Sequence, residues 1–238
     1  MKTLTILLGA NGCLGMALLE KICDHQKTFV VAIDQHEHAF SNIANKYMQC
    51  DLRDPEQILE ASENIALKDY DEVVIISTVG LFGEPSFVGS EFDEHTFYES
   101  LQVNLVGVTT IIAKLLAKRY AMVNGRVRVV VVSSSASYVG SLNLGYGVSK
   151  AGLNGFVRSI SKSLAHDGVT CIGVTPGIFA SKMSKSVSID RQQKALSETH
   201  TKRMVGVDEV ADFVSYLAYN ASDNLTGTII PFNGGQYS

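Results

Sequence analysis

The sequence is short of several residue types, and each shortage excludes a kind of protein. It has no tryptophan and four prolines in 238 residues, and its 24 acidic and 20 basic side chains leave a net charge of −4. Lysine and arginine form no block, so we expect no nucleic-acid partner. No apolar stretch approaches the ~20 residues that span a bilayer, so we expect no membrane contact. Glycines break the first apolar run, which is unlike a signal peptide and predicts a cytoplasmic protein.

Metal-binding and disulfide-forming residues are few and scattered. No C-x-x-C pair occurs, so the cysteines predict neither zinc nor a disulfide framework. All four adjoin apolar segments, where we expect small buried side chains: Cys13, Cys23, Cys50 and Cys171. His36 and His38 form one close pair, "HEH", with no further ligands at metal spacing nearby. We therefore expect no metal site.

Apolar runs of strand length alternate with segments of helical period throughout the chain. This alternation predicts an α/β fold, a doubly wound parallel sheet of about seven strands with helices on both faces. No linker or repeat divides residues 1–238, which predicts a single domain. A long helix is expected over 92–124, and strands over 3–9, 29–34, 48–51, 71–78, 126–134, 169–176 and 227–235.

A glycine-rich turn, "GANGCLG", connects the first strand to the first helix. Glycines at 9, 12 and 15 would let a phosphate approach the helix N-terminus closely. Asp34 ends the second strand, 19 residues after Gly15, where an acid can accept hydrogen bonds from an adenosine ribose. A carboxylate there repels a 2′-phosphate, and the turn has no lysine or arginine. The pattern favours a dinucleotide, NAD(H) over NADP(H).

A second acid, Asp51, follows the short third strand in "CDLRD". Its carboxylate could face an adenine amino group. It could equally cap the helix that follows. The residues alone leave both interpretations open.

A tyrosine and a lysine lie four residues apart downstream of a serine cluster, in "VVVVSSSASYVGSLNLGYGVSKAG". Tyr146 and Lys150 would share a helix face. The usual pKa of a phenol is about 10, and a neighbouring ammonium and a cationic nicotinamide would both lower it. Tyr146 could then exchange a proton with an alcohol or carbonyl oxygen, which a hydroxyl from Ser133, Ser134 or Ser135 could hold.

Several of these segments resemble the short-chain dehydrogenase/reductase family, and the resemblance covers nearly the whole chain. They are "YGVSKAG", "VSSSAS", "LQVNLVGV" and "VTPGIFASKM". The resemblance implies a Rossmann fold, with Tyr146 as the catalytic acid/base and Lys150 lowering its pKa and holding the nicotinamide ribose. It implies Asn104 as the residue that positions a water in a proton relay. Local alignment picks Ser134 as the catalytic serine, and the usual distance to the tyrosine picks Ser133.

The same resemblance implies the cofactor contacts. Pro176, Gly177 and Ile178 match the segment that meets the nicotinamide carboxamide, with Ser181 in place of the usual threonine. The complete expected set is Gly9, Asn11, Gly12, Cys13, Leu14, Gly15, Asp34, Asp51, Leu52, Thr78, Gly80, Tyr146, Lys150, Pro176, Gly177, Ile178 and Ser181.

The sequence also departs from the family pattern. Its glycine turn has the G-x-x-G-x-x-G spacing of the extended branch, and "STVG" (77–80) stands where the family often has N-N-A-G. The polar insert 181–204 resembles by position a mobile substrate lid, and 80–89 is expected to be a loop lining the crevice.

Three functions follow as hypotheses. The first is an NAD(H)-dependent oxidoreductase that interconverts a secondary alcohol and a carbonyl of a small molecule. The second is an extended-type nucleotide-sugar epimerase or dehydratase, and the third is a catalytically silent NAD-sensing regulator. The resemblance also implies a homotetramer or homodimer, for which the apolar run 105–117 could supply a surface.

Overall fold

The computed structural model of the protein describes residues 2–23, 28–36, 43–121, 126–179, 193 and 196–237. The structure describes nine strands, of which those at the centre of the main sheet coincide with apolar runs of the sequence, because branched apolar side chains fit a sheet that is covered on both faces. The nine strands are β1 (Thr3–Leu8), β2 (Thr28–Asp34), β3 (Lys46–Gln49), β4 (Glu72–Ser77), β5 (Phe87–Val88), β6 (Glu91–Phe92), β7 (Arg126–Val132), β8 (Val169–Pro176) and β9 (Ile229–Phe232).

Seven of these strands form one parallel sheet in the order β3-β2-β1-β4-β7-β8-β9. The expected doubly wound sheet is therefore confirmed. The order reverses direction between β1 and β4, which is the point where ligands bind in open α/β sheets. The carboxyl ends of β1, β4, β7 and β8 meet at this edge, so the loops that follow them lie together.

Helices cover both faces of the sheet. They are α1 (Cys13–Cys23), α2 (Pro55–Glu63), α3 (Glu94–Leu101), α4 (Val108–Ala117), α5 (Ala136–Val139), α6 (Leu144–Leu164) and α7 (Val207–Tyr219). Helices α1 and α7 bury apolar side chains on one face, and α2, α4 and α6 bury theirs on the other. Alternate residues of each central strand enter the two cores, as in Ile75 and Ile76 of β4.

The helix expected over 92–124 is interrupted. A π-helix, Gln102–Gly107, separates α3 from α4, and a 3-10 turn follows at Lys118–Ala121. By length and composition, Glu94–Tyr120 would suffice to cross a membrane, contrary to the expectation that no stretch would. Part of this segment, including Ile111 and Leu115, is fully buried against the sheet, whereas Tyr98, Val106 and Tyr120 are exposed. Five apolar side chains of the run 105–117 belong to the core, namely Val108, Ile111, Ile112, Leu115 and Leu116, so only its remaining side chains could contribute to an interface.

Two further expectations are corrected by the structure. Cys50 and Cys171 are buried as expected, but Cys13 and Cys23 are exposed, because they lie at the two ends of α1 where the helix leaves the sheet. The segment after β4 is not a plain loop, since β5 and β6 form an antiparallel hairpin within it.

Candidate active site

The glycine turn after β1 is held in a tight conformation. Gly9 has a φ of 81°, and a Cβ on it would lie 2.9 Å from Thr78 Oγ1. A Cβ on Gly15 would lie 2.2 Å from the carbonyl oxygen of Gly9. The turn therefore needs glycine at both positions, and the first helical amides of α1 have no acceptors within the helix. Exposed Gly12 and Cys13 lie at this N-terminus, and Leu14 is buried.

Asp34, at the end of β2, is attached to the glycine turn. One carboxylate oxygen accepts the Asn11 amide N–H at 3.0 Å, and the other accepts the His36 amide N–H at 3.2 Å. The side-chain amide of Asn11 donates to the Tyr47 hydroxyl at 2.9 Å. Burial, then the nearby Asp34 charge, raises the pKa of Tyr47 to about 12. Asp34 is therefore a negatively charged acceptor beside the N-terminus of α1.

Thr78 closes the gap between β1 and β4. Its hydroxyl lies 3.0 Å from the carbonyl oxygens of Leu8 and Gly9. Gly80 follows two residues later, at the start of the segment that carries Phe82. The "STVG" segment thus braces the sheet edge with one hydroxyl.

Asp51 has a different local role from the capping one considered for it. Asp54 caps α2, accepting the N–H groups of Glu56 and Gln57, while Asp51 accepts hydrogen bonds from the Arg53 guanidinium. These bonds lower the pKa of Asp51, and Arg53 also pairs with Glu99 at 2.8 Å. The capping interpretation is therefore wrong because Asp54 occupies that position. The next residue, Leu52, is buried against Gly107, since a Cβ on Gly107 would lie 2.3 Å from the Leu52 carbonyl oxygen.

Tyr146 lies in the first turn of α6, where Asn143 fixes its backbone. The Asn143 side chain accepts the Tyr146 amide N–H at 2.7 Å as the N-cap of the helix. The Tyr146 side chain is 8% exposed, and the Phe82 ring meets it edge-on with centroids 5.0 Å apart. Burial raises the pKa of Tyr146, and a hydrogen bond with Ser134 opposes this only in part. This direction is opposite to the one the sequence predicts.

The two candidate serines point to different partners. Ser133 is buried, and its hydroxyl donates to the Lys150 backbone carbonyl at 2.9 Å. Ser134 is partly exposed, hydrogen-bonds Tyr146, and its Oγ also accepts the Ala136 amide N–H at 3.1 Å. Only Ser134 of the pair therefore stands beside the phenol.

Lys150 is 2% exposed and shares the Tyr146 face of α6. Its Nζ donates to the carbonyl oxygens of Val79 at 2.8 Å and Val132 at 3.2 Å, and lies 5.7 Å from the Tyr146 ring centroid. Burial lowers the pKa of Lys150 to about 7, and no carboxylate is among its partners in the described part of the chain. The amine thus joins the ends of β4 and β7 beneath the tyrosine.

Asn104 is fully buried in the π-helix and binds the segment after β4. Its Oδ1 accepts the Leu81 N–H at 2.6 Å, and its Nδ2 donates to the Leu81 carbonyl at 2.8 Å. A further contact joins Nδ2 to Ser149 Oγ at 3.3 Å. Lys150 is thus not among the described partners of Asn104. The Asn104 side chain binds Leu81, and the Lys150 amine binds Val79, two residues earlier in the same segment. A π-turn commonly marks a functional position.

The segment after β8 lies beside the serine loop. The Pro176 carbonyl accepts the Ser135 N–H at 3.0 Å, and the Gly177 N–H donates to Phe232 at 3.0 Å. The Ile178 carbonyl accepts the Val205 N–H at 3.2 Å. Ser181, and the expected lid up to residue 192, lie outside the described residues. Among the described residues, no group of three or more histidine, cysteine or acidic side chains could hold a metal.

Comparison with known proteins agrees with this geometry. A family model described as enoyl-(acyl carrier protein) reductase matches residues 21–237. The chain belongs to the short-chain dehydrogenase/reductase family. It is an oxidoreductase of the short-chain type, and this family uses nicotinamide cofactors and acts on small molecules.

Curated relatives and solved structures extend over almost the entire chain. The 3-oxoacyl-[acyl-carrier-protein] reductase of Buchnera aphidicola subsp. Schizaphis graminum is 28% identical over 248 residues, covering 99% of this chain and 98% of the relative. That of Aquifex aeolicus is 27% identical, covering 98% and 96%. A single-substitution variant of actinorhodin polyketide ketoreductase, solved with NADPH, has a TM-score of 0.82 at 20% identity, covering 99% and 97%. This last likeness shows the fold.

The described residues fit a dinucleotide at the carboxyl edge of the sheet. The turn at Gly9 and Gly15 leaves no room for side chains, α1 offers its first amides there, and Asp34 stands alongside as an acceptor. Sequence reasoning missed Phe82 and Asn143, which position Tyr146 from outside the expected motifs. Asn143 had a signal, since an asparagine three residues before a helical residue is typical of an N-cap. Phe82 had none.

Proposed function

We propose that the protein reduces the ketone of a 3-oxoacyl thioester to a secondary alcohol, with NADH as the reductant. The observation that carries the proposal is the grouping of partly exposed Ser134 with buried Tyr146 and Lys150 at the carboxyl edge of the sheet, where the glycine turn also lies. The relatives named as 3-oxoacyl reductases support the substrate class. A bound nicotinamide supplies the hydride, and the chain supplies the proton and holds the reacting oxygen.

Tyr146 suits the role of proton donor. Because burial raises its pKa, the phenol is neutral at neutral pH and can give its proton to the oxygen of a carbonyl under reduction. Ser134 hydrogen-bonds the phenol, so its hydroxyl can bind the same substrate oxygen. The contact of Tyr146 with Phe82 keeps water from one side of the ring.

Lys150 positions the site and places a titratable amine near the phenol ring. Its Nζ holds the ends of β4 and β7 together through Val79 and Val132. With a pKa of about 7, the amine can take up or release a proton at neutral pH. Asn104 fixes Leu81 next to this contact, which keeps the Val79 carbonyl in place.

The preference for NADH over NADPH rests on Asp34. A 2′-phosphate at this position would face a carboxylate that is oriented by two backbone amides. Like charges about 4 Å apart at a protein surface repel by ~4 kcal/mol or less. Because the polyketide ketoreductase of similar fold was solved with NADPH, binding of NADH and of NADPH to this protein has to be compared directly.

Removal of the Tyr146 hydroxyl tests the chemistry. Tyr146→Phe should lower kcat for ketone reduction by about 100-fold or more, the usual contribution of a general acid. It should still bind NADH, measured by fluorescence titration, because the ring and its contact with Phe82 are kept. Tyr216→Phe, at an exposed tyrosine of α7, is the matched control. Near-normal turnover of Tyr146→Phe, or NADH binding without turnover of any ketone by the wild type, would contradict the proposal.

Replacement of Asp34 tests the cofactor preference. The wild type should bind NADH more tightly than NADPH, and Asp34→Ser should tighten NADPH binding about tenfold by removing a like charge. Asp69→Ser, at an exposed acid in a distant turn, should change neither affinity. Tighter binding of NADPH than NADH by the wild type would refute the assignment.

Assembly into a homodimer or homotetramer is also proposed, since this family typically forms oligomers. Because five apolar side chains of the run 105–117 are buried in the subunit core, an interface would use the exposed side chains of this region, such as Val106 and Tyr98. Sedimentation velocity of the wild type measures the assembly directly.

A further inference from the structure

The end of the described chain folds back over the carboxyl end of β8. After β9, Gly234 and Gly235 have φ values of 64° and 81°, which turn the chain sharply. The Gly234 carbonyl accepts the N–H groups of His200 at 2.8 Å and Thr201 at 3.2 Å. These bonds hold Gly234 against His200 and Thr201, and Asn233 lies against Gly177, on which a Cβ would be 3.1 Å from the Asn233 Cα.

Tyr237 is fixed in this tail by two independent contacts. Its hydroxyl lies 2.5 Å from Thr175 Oγ1, one residue before Pro176. Its ring stacks on the ring of Tyr138, with centroids 4.6 Å apart and an interplanar angle of 27°. Asn233 also donates to the Tyr237 backbone carbonyl at 3.1 Å. The tail is therefore joined to the loop that carries Ser134.

Tyr138 lies in α5, one helical turn after Ser134, and is 47% exposed despite the stack. The chain between Ser134 and Tyr146 contains no charged residue. Several of its large side chains are exposed and apolar: Tyr138, Val139, Leu142 and Leu144. Exposed apolar side chains grouped in this way mark a surface that binds apolar groups. These side chains lie on the segment that connects Ser134 and Tyr146, the two residues proposed to touch the reacting oxygen.

We propose that the stacked pair Tyr138 and Tyr237 is a specificity-determining wall, which binds the apolar chain of a ketone substrate. The inference rests on the proposed function and adds a preference for longer acyl chains. An aromatic face offers a large rigid apolar surface with little entropy to lose on binding. Thr175 holds one ring from behind, so the wall is fixed before the substrate arrives.

The test measures binding of two ketones that differ only in chain length, the N-acetylcysteamine thioesters of 3-oxobutanoate and 3-oxooctanoate. Calorimetry on the full-length protein with NAD⁺, which cannot reduce a ketone, separates affinity from turnover. The wild type should bind the longer thioester about tenfold more tightly, because the wall covers one side of the added methylenes. Tyr138→Ala and Tyr237→Ala should each reduce this ratio to about twofold or less.

Two kinds of control keep the result specific. Tyr138→Phe keeps the stacked rings and the hydrogen bond of Tyr237 with Thr175, so it should keep the tenfold ratio, and it replaces the alanine comparison if an alanine variant fails to fold. Tyr216→Ala, at an exposed tyrosine of α7, should leave the ratio unchanged. A ratio near one in the wild type, or a tenfold ratio that survives both alanine substitutions, overturns the inference. Failure of the proposed function instead appears as absent NADH turnover by the wild type, whatever the binding ratio.

Discussion

Replacement of Lys150 by methionine should make the stability of the protein respond differently to pH. The wild-type amine is 2% exposed, has two carbonyl partners and no described acid beside it, and its pKa falls from 10.5 to about 7 on folding. Between those two pKa values the unfolded chain binds a proton that the folded chain does not. The free energy of unfolding therefore rises with pH across this window through Lys150. Lys150→Met lacks this titration.

The size of the effect follows from the shift. Each pKa unit corresponds to about 1.4 kcal/mol, so between about pH 7 and about pH 9 the wild type should gain roughly 2–3 kcal/mol relative to Lys150→Met. At and below about pH 7 the methionine variant avoids most of the cost of a buried ammonium. The loss of donors to Val79 and Val132 destabilises it by an amount that does not depend on pH, and this amount cancels in the comparison of the two pH values.

Urea unfolding of both proteins, at one protein concentration and at about pH 7 and about pH 9, measures this difference. Lys162→Met is the matched control, because Lys162 lies on the same helix with an exposed side chain. Its stability difference from the wild type should stay constant between the two pH values. A constant difference for Lys150→Met as well, within about 0.5 kcal/mol, would show that Lys150 keeps an ordinary pKa when folded and would refute the reasoning.

Two further substitutions test the packing around the sheet. Gly15→Ala should destabilise the protein by about 1–3 kcal/mol in urea unfolding and weaken NADH binding, because the new Cβ would meet the Gly9 carbonyl. Gly155→Ala, on an open face of α6, should instead stabilise the protein by about 0.5–1 kcal/mol. Asp223→Ala should lower the free energy of unfolding by about 2–4 kcal/mol, because it leaves the Arg128 side chain, which is 2% exposed, without its carboxylate partner. Asp212→Ala breaks the more exposed pair with Lys21 and should lower the free energy of unfolding by under about 1 kcal/mol. Equal effects within either pair would contradict these assignments.

The fold was predictable because its signal is local and repeated. Each central strand is a run of branched apolar residues, and the strand expected at 169–176 is β8 with the same bounds. The spacing of Tyr146 and Lys150 likewise placed them on one helix face. Such patterns depend only on the spacing of apolar residues along the chain, and every residue of a helix or strand contributes to that spacing.

The parts that were missed depend on contacts between distant segments. The raised pKa of Tyr146 comes from burial, and the Lys150 amine is directed at backbone carbonyls, which the four-residue spacing alone does not reveal. Phe82 reaches Tyr146 across 64 positions of the chain, and Asn104 is occupied by the backbone of Leu81. Cys13 is exposed because a helix end leaves the core there, a matter of docking and not of composition.

The π-helix at Gln102–Gly107 changes the direction in which the side chains of α3 point relative to those of α4. One extra residue in a turn rotates the helix before it by about 100° relative to the helix after it. Helix α3 can therefore face α6 while α4 faces the sheet, although the two are continuous in the chain. Deletion of a single residue here would restore a regular helix and swing the α3 side chains off the tyrosine-bearing helix. The length of this stretch is therefore constrained, in addition to the identities of Gly107 and Asn104 within it.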